Sequence, residues 1–152
     1  MLGAVVAVSV VLVASVTGLL LRRRNGTFRT PKPTPDKNLE QLGVIPGTPV
    51  TLVQFSTAFC APCRATRVYC ADLARTIPGV RHVEVDAESH LDAVRALDIW
   101  RTPTVLVVDA DGTVRSRASG ATNRARLLAA VAEVLPAVAT GPLASRPGPA
   151  AA

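Results

Sequence analysis

Residues 55–64 read Phe-Ser-Thr-Ala-Phe-Cys-Ala-Pro-Cys-Arg, and most of what the chain reveals about itself starts from this stretch. Cys60 and Cys63 have the C-x-x-C spacing of redox-active and metal-binding cysteine pairs. The apolar run 50–55 before them has the length and composition of a buried strand. Residues 61–77 after them have a helical pattern. The pair is therefore predicted to lie where a strand leads into the N-terminus of a helix.

This junction favours redox chemistry at Cys60. A helix N-terminus presents unpaired N–H groups and a partial positive charge, and both stabilise a thiolate. The pKa of Cys60 is therefore expected below that of a free thiol, which makes Cys60 the nucleophile. Cys63, about one turn later, is placed to attack the resulting mixed disulfide and release the reduced product. Pro62 suits an early helical position, where no N–H is needed.

The residues alone leave three other interpretations of the pair open. A zinc site would need about four ligands, so that Cys70, His82 and His90 would have to converge on it. A structural disulfide across two residues would gain little from chain entropy. In the third interpretation, the two cysteines are core residues that happen to be close in sequence. Spacing and context favour a redox pair without a metal, and Cys70 is interpreted as a small buried residue rather than a third redox thiol.

The rest of the domain alternates between strand and helix patterns. Strands are predicted over 50–55, 80–85, 104–108 and 113–117, and helices over 36–42, 61–77, 88–97 and 124–135. The predicted inward-facing side chains of the last three helices are Val68, Leu73, Ile77, Leu91, Val94, Leu97, Leu127, Leu128, Val131 and Leu135. Asp111-Gly112 is a hairpin signal. The order β-α-β-α-β-β-α predicts an α/β fold whose central mixed sheet is flanked by helices.

The N-terminus has a different composition. Residues 2–21 contain no charge, and about 20 apolar residues match the hydrocarbon core of a bilayer. A cleaved signal peptide, the alternative, would have basic residues before the run, and none is present. Arg22, Arg23 and Arg24 follow directly, and positive charge tends to stay cytoplasmic. We therefore predict one transmembrane helix in a cell membrane, with the domain after it in the cytoplasm; an extracytoplasmic domain is the alternative.

Four segments follow from these patterns. Residues 1–21 are the predicted transmembrane anchor, 22–35 a basic Pro-rich linker, 36–137 the folded domain and 138–152 a disordered tail. The net charge of +6 could suggest nucleic acid, but aromatic residues are only 3% of the chain and the arginines are scattered. Nucleic-acid binding is therefore not expected.

The domain resembles the thioredoxin family. Residues 55–64 resemble the family's strand-to-active-site segment, with Phe59 where a Trp is usual. Thr102-Pro103-Thr104 resembles the family's cis-proline loop. The resemblance implies a thioredoxin-like fold over residues 36–137, with four or five strands, because the family's first strand is not evident ahead of Val50. Further matches are Val85-Asp86, Asp111-Gly112-Thr113 and Ser119-Gly120-Ala121.

The resemblance also implies roles for individual residues. Cys60 would be the exposed nucleophile and Cys63 the resolving thiol. Pro103 would shape a groove that binds a substrate strand through the backbone of Thr102. The other predicted substrate-binding residues are Phe59, Pro62 and Trp100, although a lone Trp is as often a core residue.

One departure from the family concerns proton transfer. Gln54 stands where the family buries an Asp that helps to deprotonate the resolving thiol. An amide cannot take up that proton, so the proton has to pass to water or to another group, for which His82 is a candidate.

The predicted function is that of a thiol–disulfide oxidoreductase that reduces protein disulfides and contributes to redox homeostasis. The expected partners are disulfide-containing proteins, thioredoxin reductase or another thiol donor, and a membrane bound through residues 2–21. No cofactor is expected. The alternatives are an extracytoplasmic exchange protein of the cytochrome-maturation or disulfide-forming type, and a non-catalytic binding module.

Overall fold

A computed structural model describes residues 2–30 and 38–135 of the chain. These residues form a five-stranded mixed sheet with helices on its faces, which confirms the predicted α/β class and mixed sheet. The predicted disordered tail, 138–152, lies outside the described residues. So does the part of the predicted linker from 31 to 35.

The described chain begins with helix α1, Leu2–Arg24. Many of its Val and Leu side chains, from Val5 to Leu20, are exposed over more than half of their surface. Within residues 2–30 and 38–135, no helix combines the length and the apolar character that crossing a membrane requires. The predicted transmembrane helix over residues 2–21 is therefore not shown.

The sheet combines one parallel pair of strands with three antiparallel pairs. The five strands are β1 Phe28–Arg29, β2 Val50–Ser56, β3 Val80–Asp86, β4 Thr104–Asp109 and β5 Val114–Ser119. Their spatial order is β1-β5-β4-β2-β3. β2 is parallel to β3, with Gln54 opposite Glu84, and antiparallel to β4, with Gln54 opposite Val105. β4 and β5 form the antiparallel hairpin predicted around Asp111-Gly112.

The short strand β1 comes from the segment predicted as a linker. Phe28 pairs with Ala118 of β5, at the edge of the sheet opposite β3. Just before it, the N–H of Gly26 donates to the carbonyl of Ser119. Gly26 has φ +65°, and a Cβ there would lie 1.7 Å from the carbonyl oxygen of Ala121, so only glycine fits. The fifth strand thus precedes residue 36 and does not lie directly ahead of Val50.

Helices cover both faces of the sheet and create two apolar cores. The helices after α1 are α2 Asn38–Gln41, α3 Ala61–Thr76, α4 Leu91–Ala96 and α5 Arg124–Val134. Because side chains alternate along a strand, β2 directs Leu52 toward α3 and α5 and Val53 toward α2 and α4. The first core includes Val50, Leu52, Cys70, Leu73, Val105, Val107, Leu127 and Val131. The second includes Leu39, Val53, Phe55, Val85, Leu106 and Val108.

For three residues, the prediction that the side chain faces inward is wrong. Val68 is 64% exposed, Leu91 53% and Leu128 39%. In α3 the buried stripe contains Cys63, Thr66, Cys70 and Leu73. Val68 lies five residues after Cys63, about 140° around a helix of 3.6 residues per turn, and so faces away from the sheet. The burial of Cys63, rather than the hydropathy of Val68, sets the orientation of this helix.

Candidate active site

Cys60 and Cys63 form a disulfide at the beginning of α3, with 5.2 Å between their Cα atoms. Cys60 is the N-cap residue of the helix, and its sulfur accepts a hydrogen bond from the backbone N–H of Cys63 at 3.2 Å. Pro62 occupies the first turn of α3, where no helical N–H is required. The predicted strand-to-helix junction is thus present.

The two sulfurs occupy different environments. Cys60 is partly exposed, whereas Cys63 is only 1% exposed and faces the sheet. When the disulfide is reduced, the N–H of Cys63 and the partial positive charge of the helix end both favour a thiolate at Cys60. An attacking sulfur at the surface with a second sulfur behind it is the arrangement that disulfide exchange requires.

The predicted cis-proline loop lies beside the segment that carries the cysteines. The peptide bond between Thr102 and Pro103 is cis, and Pro103 is buried. The hydroxyls of Thr57 and Thr102 are 3.2 Å apart and hydrogen bonded, which joins the loop before Cys60 to the Thr102 loop. Sequence reasoning missed Thr57, and only the pairing of these loops in space identifies it. The carbonyl of Pro103 accepts from the N–H of Gly120 at 2.7 Å.

Two aromatic side chains are exposed in these loops. Phe59 is 100% exposed and Trp100 is 86% exposed, so Trp100 is not a core residue. The indole N–H of Trp100 donates to the carboxylate of Asp98. The backbone carbonyl of Asp98 in turn accepts from the guanidinium of Arg117 at 2.9 Å. The ring of Trp100 thus faces solvent, and its indole N–H is hydrogen bonded to Asp98.

A buried polar network lies between Cys63 and β3. Gln54 is fully buried, and its amide nitrogen donates to the carbonyl oxygen of Cys63 at 3.0 Å and to the hydroxyl of Ser56 at 2.8 Å. Nε2 of His82 lies 3.2 Å from Oε1 of Gln54. His82 thus contacts the side-chain amide of Gln54.

The network extends to an ion pair at the surface. The carboxylate of Glu84 accepts from Ser56 and pairs with Arg67 of α3. Burial alone raises the pKa of Glu84, but the hydrogen bonds from Arg67 and Ser56 outweigh it, so that the pKa is lowered. Burial lowers the pKa of His82. Sequence reasoning missed Ser56, Glu84 and Arg67, because their roles depend on the pairing of β2 with β3.

Cys70 is a free thiol that is fully buried between α3 and the sheet. Burial, and secondarily the charge of Glu84, raises its pKa to about 12. Such a thiol is un-ionised at neutral pH and closed to solvent, which agrees with its interpretation as a small core residue.

The cysteines and histidines do not form a metal site in the described part of the chain. No three His, Cys, Asp or Glu side chains there lie close enough together to hold an ion. Nε2 of His82 faces Gln54, and Nδ1 of the exposed His90 is 2.9 Å from the carbonyl of Asp86.

Comparison with known families settles the relationship. The family model for thioredoxin matches residues 36–133, which is more than half of the chain. The chain belongs to the thioredoxin family. Together with the Cys60–Cys63 disulfide, this membership supports thiol–disulfide oxidoreductase activity in general.

Solved thioredoxin structures share the fold of this chain. A mutant thioredoxin of Halobacterium salinarum is 16% identical, with a TM-score of 0.57 over 66% of this chain and 86% of that one. The thioredoxin of Fasciola hepatica is 26% identical, with a TM-score of 0.51 over 57% and 82%. Mitochondrial thioredoxin 3 of Saccharomyces cerevisiae is 22% identical, with a TM-score of 0.55 over 63% and 89%. A search of curated proteins found no match.

Proposed function

We propose that this thioredoxin-family protein reduces the disulfides of other proteins through the Cys60–Cys63 dithiol and so contributes to redox homeostasis. The observation that carries the proposal is the difference in burial between the two sulfurs at the start of α3. A substrate disulfide can reach Cys60 from solvent, whereas Cys63 is available only to Cys60.

The reaction consists of two exchanges. In the first, the thiolate of Cys60 attacks a substrate disulfide, and the other substrate sulfur leaves as a thiolate that takes a proton from water. In the second, Cys63 loses its proton to water and attacks the sulfur of Cys60. The Cys60–Cys63 disulfide forms, the second substrate thiolate leaves, and two electrons have passed from the protein to the substrate.

The exposed loops around Cys60 are the proposed substrate surface. Phe59 and Trp100 offer apolar contact area, and Pro62 is exposed beside the nucleophile. We propose that an extended substrate segment pairs with the backbone of Thr102 next to the buried Pro103. Exposed aromatic side chains suit the binding of varied polypeptides, because each offers a large apolar contact area and has few rotatable bonds to immobilise.

An external donor has to regenerate the dithiol. We propose thioredoxin reductase or another thiol donor, which would approach the exposed Cys60 by the same exchange in reverse. The two cysteines supply the redox chemistry, so the scheme requires no bound cofactor.

Reduction of insulin by the full chain, with dithiothreitol as electron donor, tests the catalytic proposal. The wild type should accelerate precipitation of the insulin chains, and Cys60→Ser should leave only the rate of dithiothreitol alone. Cys70→Ala is the matched cysteine control and should retain the wild-type rate. Equal rates for the wild type and Cys60→Ser would refute the proposal.

The reduction potential of the pair tests the direction of electron flow. A reductant should have a value near that of thioredoxin, about −270 mV, whereas an oxidant of the disulfide-forming type lies near about −120 mV. The latter value would favour the extracytoplasmic alternative. A folded protein that binds disulfide proteins but exchanges none would favour the non-catalytic binding module.

We further propose that residues 2–21 attach the domain to a cell membrane, with the domain on the cytoplasmic side. The support is the uncharged run itself, the exposure of its Val and Leu side chains, and the arginines that follow it. The full chain should sediment with membranes and resist alkaline carbonate, and a chain starting at Asn25 should not. Alkaline phosphatase fused after Leu135 should be inactive, and activity there would place the domain outside.

A further inference from the structure

The amide of Gln54 has one possible orientation. Both of its N–H groups are used, one on the hydroxyl of Ser56 and one on the carbonyl of Cys63, so its oxygen must face His82. An amide oxygen only accepts hydrogen bonds, and Nε2 of His82 must therefore carry a proton. This holds for the neutral ring with its proton on Nε2 and for the imidazolium ion alike.

The contact of Gln54 with Cys63 is made where it can influence the second exchange. A carbonyl oxygen accepts two hydrogen bonds, so the bond from Gln54 adds to the helical bond of Cys63. It ties the first turn of α3 to β2, an interior strand of the sheet. The sulfur of Cys63 must meet the sulfur of Cys60 in line, and small errors of placement in such reactions are costly.

We infer that Gln54, oriented by His82, is a positioning residue for the resolving Cys63, and that the charge on His82 tunes the resolving step. This inference rests on the proposed function only because the resolving step is the second exchange of that reaction. No proton passes through the amide, and the proton of Cys63 goes to water. The family's buried acid is thus replaced by an uncharged donor whose strength depends on a neighbouring histidine.

The charge on His82 acts in a known direction. An imidazolium makes a stronger, charge-assisted bond to Oε1 of Gln54, which polarises the amide and strengthens its bond to Cys63. The positive charge also favours the thiolate form of a nearby thiol. The charged groups that act on His82 are Glu84 on its own strand and Arg67 on α3. Glu84 favours the imidazolium, whereas burial and Arg67 oppose it.

The resolving step can be observed without a protein substrate. Reduced protein mixed with 5,5′-dithiobis(2-nitrobenzoate) releases one thionitrobenzoate anion when Cys60 attacks and a second when Cys63 resolves the mixed disulfide. The first phase scales with reagent concentration, whereas the second is unimolecular. Because no substrate protein or reductase takes part, failure of the physiological proposal would leave this assay unaffected.

Substitution of Gln54 tests the positioning role. Gln54→Met keeps the length of the side chain and removes the amide. We expect the second phase to slow about threefold to tenfold, the range that one hydrogen bond represents, with the first phase unchanged. Circular dichroism and the amplitude of the first phase show whether the variant is folded.

Two substitutions of His82 separate the effect of its hydrogen bond to Gln54 from the effect of its charge. His82→Gln retains an N–H donor for Gln54 but does not titrate, and His82→Phe removes both. Between pH 8 and about pH 5, we expect the second phase of the wild type to decline less steeply than that of His82→Gln, with a ratio of about threefold or more at the lower end. His82→Phe should be slow throughout, as Gln54→Met is.

His90→Gln is the matched control, since His90 is the other histidine of the chain and lies exposed at the start of α4. Its second phase and pH profile should equal those of the wild type. Folded Gln54→Met and His82→Phe variants with wild-type second phases would overturn the positioning role. A His82→Gln profile that matches the wild type would overturn the tuning by charge.

Discussion

The amide nitrogen of Gln54 lies 3.0 Å from the carbonyl oxygen of Cys63 and is completely buried beneath the first turn of α3. The group under the resolving cysteine is therefore a neutral hydrogen-bond donor. This site neither repels a thiolate on Cys63 nor accepts its proton. Its contribution is to hold the backbone of the redox turn, and the network from Ser56 to Glu84 holds Gln54 in turn.

Replacing this donor by an acid should destabilise the fold as pH rises. In Gln54→Glu, burial raises the pKa of the introduced carboxyl, and its ionised form would face the carbonyl of Cys63 without donating. A raised folded-state pKa means that stability is retained below the unfolded value of about 4.3 and lost at higher pH. We expect a loss of about 3 kcal/mol at neutral pH and a smaller one near pH 4, measured by urea unfolding.

Gln41→Glu provides the matched control for that experiment. Gln41 is the other glutamine of the chain and is exposed at the end of α2, so its replacement should change stability by less than about 0.5 kcal/mol. A Gln54→Glu protein as stable at neutral pH as near pH 4, relative to the wild type, would show that the amide position tolerates charge.

The thiol of Cys70, the third cysteine, should not react with thiol reagents in the native protein. Because the pKa of Cys70 is raised to about 12 and its side chain is fully buried, the reduced native chain should give two equivalents with 5,5′-dithiobis(2-nitrobenzoate), both from the Cys60–Cys63 pair and none from Cys70. Titration with a thiol reagent should show the third only after unfolding in denaturant. Cys70→Ala should give two thiols under both conditions, and rapid native reaction of a third thiol in the wild type would contradict the prediction.

The sequence alone is enough to predict the redox pair and four of the five strands. The apolar run before Cys60, the helix start at Ala61 and the Thr102-Pro103 pair are local signals, and they suffice to predict the strand-to-helix junction and the cis-proline loop. Phe59 is exposed, and its place in a substrate surface stays a prediction.

The features that escaped prediction depend on contacts between distant segments. β1 contains only Phe28 and Arg29, which have no strand pattern of their own, and its place depends on pairing with β5. His82 reaches Gln54 only because β2 and β3 are parallel neighbours, which brings together residues 28 positions apart. Helix α3 buries the face that carries Cys63. The hydropathy of Val68 alone therefore gives the wrong prediction for the direction of its side chain.

Asp109, at the turn of the β4–β5 hairpin, should make the free energy of unfolding depend on pH. Asp109 Oδ1 accepts from the N–H groups of Asp111 and Thr113 at 3.0 and 2.9 Å, and Arg115 binds the other oxygen. Burial opposes ionisation of Asp109, but these bonds outweigh it and lower its pKa. A lowered folded-state pKa means that this stability is present above the unfolded value of about 3.9 and is lost as pH falls further.

Asp109→Asn should therefore cost about 1 to 2 kcal/mol at pH 6 and less near pH 3, as measured by urea unfolding against the wild type at each pH. Asp111→Asn is the matched control, because Asp111 is exposed and an Asn-Gly turn is equally favourable here. A cost for Asp109→Asn that is the same at both pH values would show that the charge of Asp109 is irrelevant.

Removing the resolving thiol should trap substrates. In Cys63→Ala the first exchange still occurs at Cys60, but nothing attacks the mixed disulfide from within the protein. Incubation with an oxidised protein substrate should yield an adduct on a non-reducing gel that dithiothreitol removes, with at least about tenfold more adduct than for the wild type. The same variant carrying Cys60→Ser should form none, and adducts that persist in the double variant would indicate a different attacking group.

Trp100 should matter for protein substrates and not for stability. Its side chain is 86% exposed, so Trp100→Ala should change the free energy of unfolding by less than about 0.5 kcal/mol. The loss of apolar contact should raise KM for insulin about threefold to tenfold, whereas the rate with a small aromatic disulfide should change little. Val68→Ala, an exposed apolar residue on the outer side of α3, is the control and should leave both rates unchanged. If Trp100→Ala left KM for insulin at the wild-type value, or slowed the small disulfide as strongly as insulin, then Trp100 would not belong to the surface that binds protein substrates.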